Sequence, residues 1–243
     1  PKMVEGVWSG TMNLTEPQCG TDLGLTNSSA VLQNDGTYKI TGNKIFISSG
    51  EHDLTENIIH LVLARIPESP VGTKGLSMFI VPKYIVDEKG NLISRNSLKC
   101  MNVEKKMGIH GNATCEILYD GAQGFLIGEK NKGLNSMFVM MNIARLQTGM
   151  QGLAVSELAR QKAMDYSRLR KQGRERSGVD KAVPIIDHAD IKRNLAGISA
   201  FTEGARALAL WTALLMDLDE ENFESVTNAE AKRLVGFLTP IIK

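Results

Sequence analysis

The sequence predicts an α+β, multi-domain fold: an antiparallel β-barrel-like domain over residues 1–128, followed by a partial up-down helical bundle over residues 129–243. Three observations carry this. Short β-branched and aromatic runs, separated by Gly, Asp-Gly and Pro, fill the first half. From Leu134 onward the apolar residues recur at helical spacing instead. The composition, 42% hydrophobic and 23% charged over 243 residues, is ordinary for a globular chain long enough to form one or two domains.

Ser28–Val31 is expected to be a strand that Asn34-Asp35-Gly36 turns into Tyr38–Ile40, because an Asp-Gly between β-branched runs supplies the positive φ values of a hairpin. Thr41-Gly42-Asn43 then separates Tyr38–Ile40 from a further short run, Lys44–Ile47. Ile58–Ala64 is apolar except for His60 and short enough for a buried strand, which makes His60 a hydrogen-bonded core histidine rather than a ligand. Gly75–Val81 reads as another strand, and Cys115–Leu118 precedes a second Asp-Gly at Asp120-Gly121. Regular short runs of this kind favour a barrel or a sandwich.

In the second half, Met137, Met140, Met141, Ala144 and Thr148 lie on one helical stripe, and a long helix is expected over 134–171. Gly149 and Gly152 allow a close helix contact at some cost in propensity. Methionines on such a stripe fill irregular gaps in a core. Gly173 and Gly178 mark a break. A second helix is expected from His188 to Leu218, with Asp187 as its N-cap and Ile191, Leu195, Ile198, Ala205 and Leu208 buried. Asp217–Thr227 reads as an acidic turn, and a third helix starts near Asn228 and ends at Thr239-Pro240. Two long helices and part of a third leave an amphipathic face that needs a cover.

A net charge of +1 argues against nucleic acid and anionic membranes. The start lacks a secretory signal, no apolar run is long enough to span a bilayer, and Cys19, Cys100 and Cys115 form no disulfide pattern, so a cytoplasmic protein is expected. There is no G-x-G-x-x-G after a strand, no P-loop and no H-E-x-x-H. Glu51, His52, Asp53 and Glu56 make a poor metal set, and Ser48-Ser49-Gly50 lacks a nucleophile elbow. Two segments stay open. NLTEPQCGTD at 13–22 is either a surface turn or a loop presenting N–H donors and a Thr hydroxyl to a polar ligand. The basic run Arg160, Lys162, Arg168, Arg170, Lys171, Arg174 and Arg176 is either a solvated helix end or an anion site.

Five ordered stretches resemble the acyl-CoA dehydrogenase family. MNLTEPQCGTD at 12–22 is similar to its T-E-P-x-x-G-[ST]-D loop, and TGNKIFISSGEHDLTENIIHLVLAR at 41–65 to its flavin-side strand and loop. KGLSMFIVPK at 74–83, EKKMGIHGNATCEI at 104–117 and GEKNKGLNSMFVMMNIARL at 128–146 follow in family order. ENIIHLVLAR and IIDHADIKR look most like the larger branch, which includes dehydrogenases of methylthiopropionyl-CoA-type and other short or medium acyl thioesters.

The resemblance implies FAD as cofactor, an acyl-CoA oxidised to its 2-enoyl-CoA, an electron-transferring flavoprotein as electron acceptor, and a homodimer or homotetramer. It places Met12, Leu14 and Thr15 against the flavin ring, Gly20 and Thr21 at the pyrophosphate, Phe46 where members often carry tryptophan, and Ser48 near N5. Arg170 matches the arginine that reaches a neighbouring subunit's flavin pyrophosphate, although the usual R-x-x-F-G reads Arg170-Lys171-Gln172-Gly173 here. Residues 1–128 correspond to the middle β domain and 129–243 to part of the C-terminal helical domain. Glu16, Glu203 and Glu230 do not match the family base, so no catalytic residue and no metal ligand is assigned. The chain alone is expected to be an inactive fragment of an active parent. The alternative is a non-enzymatic or nucleic-acid-associated member of the same flavoprotein family.

Overall fold

The computed structural model describes residues 2–174, 181–220 and 226–243. The chain divides into two compact units, Pro1–Phe138 and Val139–Lys243. Gly178 and Arg176, and residues 221–225 of the expected acidic turn, lie outside the described residues.

The first unit is built on β1 (Trp8–Asn13), β2 (Ser29–Leu32), β3 (Tyr38–Ser48), β4 (Asn57–Arg65), β5 (Leu76–Pro82), β6 (Tyr84–Val86), β7 (Leu92–Arg95), β8 (Leu98–Val103) and β9 (Thr114–Ile127). The main sheet runs β1-β4-β2-β3-β9-β5, with β8 on β9 and a further β4–β5 pairing; β6 and β7 form a separate hairpin. The expected antiparallel barrel is not what forms. The sheet is mixed, because β1 pairs β4 in parallel from Trp8–Asn57 to Asn13–Val62. Nor does it close: β2 and β4 meet at the single pair Ser29–Arg65, which is no ladder. β1 had no strand signature in sequence, since its alternating side chains are small or polar and its partner lies far along the chain.

Two segments that read as breaks lie inside long strands, one of them as a bulge. Along β3 and β9, Ile40 faces Ala122 while Thr41 faces Asp120, so Gly121, at φ 70°, is the extra residue. A glycine-based bulge and a hairpin turn use the same left-handed backbone, so Asp120-Gly121 alone does not distinguish them. Thr41-Gly42-Asn43 likewise runs through β3 without a turn, and a Cβ on Gly42 would fall 2.2 Å from Ser28 Oγ. The core between these strands holds Ala30, Tyr38, Ile40, Val62, Phe79 and Ile117. Tyr38 and Phe79 pack with ring centroids 5.0 Å apart. Each large side chain buried this way contributes about 1.5–3 kcal/mol.

The second unit comprises the greater part of α1 (Gly133–Leu169), the hairpin of β10 (Lys171–Arg174) and β11 (Ala182–Pro184), α2 (Ala189–Glu220) and α3 (Val226–Ile242). Leu215 of α2 packs with Ala231, Val235 and Leu238 of α3. Arg206 of α2 reaches Glu157 of α1 at 3.0 Å. Gly149 supplies a close approach: a Cβ there would sit 2.8 Å from the carbonyl oxygen of Ile242. Asp187 falls in a 3-10 turn, Ile185–Asp187, and His188 occupies the position before the helix. α3 continues through Pro240 to Ile242, with one bond of its ladder missing where the proline has no N–H to give the Gly236 carbonyl.

Candidate functional site

The polar loop after β1 is tied down tightly. Glu16 and Cys19 exchange backbone hydrogen bonds of 2.8 and 3.0 Å, which folds NLTEPQCGTD into a narrow bend. The Ile45 N–H of β3 donates to the Thr15 carbonyl at 3.0 Å, so the loop lies along β3. Asp22 then accepts from the Gly24 N–H at 2.9 Å and caps the following 3-10 turn.

Glu16 points inward and is 3% exposed, beside the fully buried Lys44. Its carboxylate accepts from Lys44 Nζ at 2.8 Å, from the Ser28 N–H and hydroxyl, from the Asn27 N–H and from Gln18 Nε2. Burial alone would raise its pKa, but the Lys44 ammonium and these hydrogen bonds outweigh burial and hold it at about 2. Burial pulls the Lys44 pKa down, and the Glu16 charge opposes that shift. We take the pair as ionised, since both partners are hydrogen-bonded. Sequence reading assigned this pair no role. The visible signal was a lysine, Lys44, set directly against the apolar run Ile45–Ile47 of a strand.

Behind β1 lies a second buried polar chain. Tyr119 donates its hydroxyl proton to Asn13 Oδ1 at 2.9 Å, Asn13 Nδ2 donates to Thr11 Oγ1 at 2.7 Å, and Thr11 meets His60 Nδ1 at 2.8 Å. His60 is the hydrogen-bonded core histidine expected, although its Nε2 is buried without a partner. Burial lowers its pKa to about 4, so the ring is neutral near pH 7.

With Thr11, Asn13 and Glu16 facing in, Met12 faces out, 37% exposed. Phe46 also faces out, 58% exposed, although it is a large aromatic. It sits in a second bulge, where Ile45 and Phe46 of β3 intervene between the Lys44–Ile117 and Ile47–Cys115 pairs, and its φ is 60°. An aromatic residue in left-handed backbone costs roughly 1 kcal/mol or more, and persists where the surroundings enforce it, commonly at a ligand site. The ledge therefore offers an open sulfur and an open aromatic ring, with the half-buried Leu14 and Thr15 between β1 and the bend. Gly20 comes back against Thr15, since its Cβ would lie 3.5 Å from Thr15 Cγ2. Thr21 and Ser48 are exposed. A flat ring system with a polar rim fits such a surface: apolar contact from Met12 and Phe46, hydroxyls from Thr15, Thr21 and Ser48. Arg170 belongs to the other unit, where it is exposed and donates to Gln172 Oε1 at 2.9 Å.

The remaining sequence candidates are engaged elsewhere. Glu51 pairs with Lys83 and with Arg95 (2.8 Å), and His52 accepts from the Leu54 N–H and meets Ser9 at 3.2 Å. In the basic run, Arg160 pairs with Glu157 at 2.7 Å. Among the described residues no helix is long and apolar enough to cross a membrane.

Comparison with known proteins completes the description. The family model for the acyl-CoA dehydrogenase middle domain matches residues 11–122. A 3-methylmercaptopropionyl-CoA dehydrogenase from Ruegeria pomeroyi is 50% identical over 243 residues, all of this chain and 41% of that protein. A broad-specificity linear acyl-CoA dehydrogenase from Mycobacterium tuberculosis is 40% identical over 97% of this chain and 40% of its own length. The crystal structure of Caenorhabditis elegans ACDH-11 in complex with C11-CoA superposes with a TM-score of 0.78 at 29% identity, over 97% of this chain and 37% of that one. The chain thus spans about two fifths of the length of these two curated relatives.

Proposed function

The chain belongs to the acyl-CoA dehydrogenase family, and from that premise we propose that it forms the flavin-holding part of an FAD-dependent enzyme that oxidises an acyl-CoA to its 2-enoyl-CoA. In this reading residues 1–128 are the middle β domain and 129–243 part of the C-terminal helical domain. The observation that carries it is an exposed phenyl ring on left-handed backbone at Phe46, next in the chain to the Ile45 N–H that holds the bend at Thr15, together with the exposed Met12.

FAD, when bound, supplies hydride acceptance, a chemistry that belongs to the cofactor. The chain's part is to seat and orient it. Met12, Leu14 and Phe46 would contact the ring, Thr15 and Ser48 its polar edge, Gly20 and Thr21 the pyrophosphate, and Arg170 the pyrophosphate of a neighbouring subunit in a homo-oligomer. Glu16 cannot remove the substrate's α proton. Its carboxylate is buried, fully hydrogen-bonded and held at about 2, far below the range of a working base. Glu203 pairs with Arg206 at 3.4 Å and, like Glu230, matches no family base, which we place outside these residues. Electrons would pass to an electron-transferring flavoprotein. The three free cysteines suit a cytoplasmic setting.

The test uses the full-length polypeptide that carries this chain. Purified with FAD, it is expected to retain a flavin spectrum through gel filtration and to lose its visible absorbance when a short or medium acyl-CoA is added without oxygen. Phe46→Ser should weaken FAD retention at least tenfold. A protein that takes up no flavin, or whose flavin no acyl-CoA reduces, would sink the reading.

A further inference from the structure

We infer that the buried Glu16–Lys44 pair is the positioning element of the cofactor loop: it sets the height and tilt of Leu14 and Thr15 for FAD and is not merely a strut of the β unit. The inference rests on the reading of the ledge as a flavin seat. Lys44 Nζ has two acceptors, Glu16 Oε1 at 2.8 Å and the Leu14 carbonyl at 2.9 Å. The ammonium therefore holds the loop by its backbone, one residue before Thr15. Glu16 holds it from the other side, because its two oxygens also take the Asn27 and Ser28 N–H groups at 2.8 and 3.1 Å and so fasten the bend to the start of β2.

Lys44 is also the residue at which the second bulge of β3 begins, so the side chain that grips Leu14 emerges two residues before the left-handed Phe46. One buried ion pair thus ties together the two segments that flank the ledge, the Met12–Thr15 stretch and the Phe46 bulge. Simple stability does not require charge here. A buried pair is often replaced by neutral side chains of similar shape without loss, whereas removing one partner alone is severe. The geometry comes from the set of partners: the ammonium donates to Glu16 and to the Leu14 carbonyl, while the carboxylate accepts from Asn27 and Ser28 as well as from Lys44.

That asymmetry supplies the experiment, performed on the full-length polypeptide. Glu16→Gln with Lys44→Met removes both charges together and leaves the Leu14 carbonyl without its donor. Ile40→Val, a core change in the same strand and away from the loop, controls for general loosening. We expect the double variant and I40V to unfold at similar temperatures, while the FAD dissociation constant rises at least tenfold in the double variant and stays within twofold of the parent in I40V. Glu16→Asp keeps the charge but withdraws the carboxylate by one methylene. It should weaken FAD severalfold at an almost unchanged melting temperature, and it answers the question if the double variant does not fold. Parent-like FAD affinity in E16D or in the double variant overturns the inference. So does a loss in I40V equal to theirs. A parent protein that binds no FAD at all overturns instead the assignment of the ledge.

Discussion

The β unit and the helical unit bury their apolar residues to very different extents. Around the sheet, Ile40, Phe79, Ile117 and Tyr119 are wholly inaccessible, and polar groups drawn inside with them are hydrogen-bonded in sets. On the helices, Val155, Leu158, Phe201, Leu210, Trp211, Leu214 and Phe237 are exposed, and the buried line of each helix is narrow. The strands bury one another's apolar residues, whereas the helices carry apolar faces that only another surface can cover. Local stability should follow the same division, high where apolar contacts are dense and lower along the helices.

Each unit contains one tryptophan, Trp8 and Trp211, so the contrast can be measured unit by unit. Phe79→Ala removes a fully buried ring and should cost the β unit about 3–5 kcal/mol. Phe201→Ala, on an open helix face, should change the helical unit by no more than about 0.5 kcal/mol. Urea unfolding followed by Trp8 fluorescence in a Trp211→Phe background reports the first, and by Trp211 in a Trp8→Phe background the second. Equal losses would mean that the helical face is covered in solution, and the contrast would fail.

Proton linkage sharpens the same difference. His60 titrates near 4 when folded, against about 6.5 when unfolded. Between those values the unfolded chain holds a proton that the folded chain does not. Stability is therefore complete above about pH 6.5 and is lost as the pH falls toward 4, by on the order of 3 kcal/mol for a group this deeply buried. Glu16 adds a separate loss at lower pH, between about 4.5 and 2, where its folded carboxylate finally takes up a proton. The Trp8 transition should show the decline between pH 6.5 and 4, and His60→Gln should flatten it. A slope that survives H60Q belongs to another group.

How much of this was legible in the residues differs by element. β4 and β5 were readable because each is an apolar run broken only once, at His60 and at Ser77, and α1 because its Met stripe keeps helical spacing. The bulges at Gly121 and Phe46 were not, since a left-handed residue inside a strand looks like one in a turn until its partner strand is known. β1 was missed for the same reason of distance: its parallel partner begins 49 residues after it, at Asn57 against Trp8. The ledge residues Met12, Thr15 and Phe46 came from motif resemblance rather than from pattern. The Glu16–Lys44 pair beneath them went unread because a lysine in a strand is usually solvated, and only the fold brings position 44 against position 16.

The smallest expected effect bears most directly on function. If Phe46 is held in left-handed backbone for the sake of a ligand, the unliganded protein carries a cost with no structural return. Phe46→Gly removes the steric penalty, and at 58% exposure it forfeits little packing. The β unit should gain up to about 1 kcal/mol, part of the relief being offset by the added freedom of glycine in the unfolded chain. Phe46→Ala keeps a Cβ and therefore keeps the strain, so it should show no such gain. Both variants lose the ring and should bind FAD more weakly by similar factors. The diagnostic quantity is the difference between them in unliganded stability, read from Trp8 in the Trp211→Phe background. If glycine and alanine are equally stable, the bend at Phe46 is unstrained and its exposed ring needs another explanation. If glycine alone gains, the fold is seen to give up stability at the position where the flavin ring would rest.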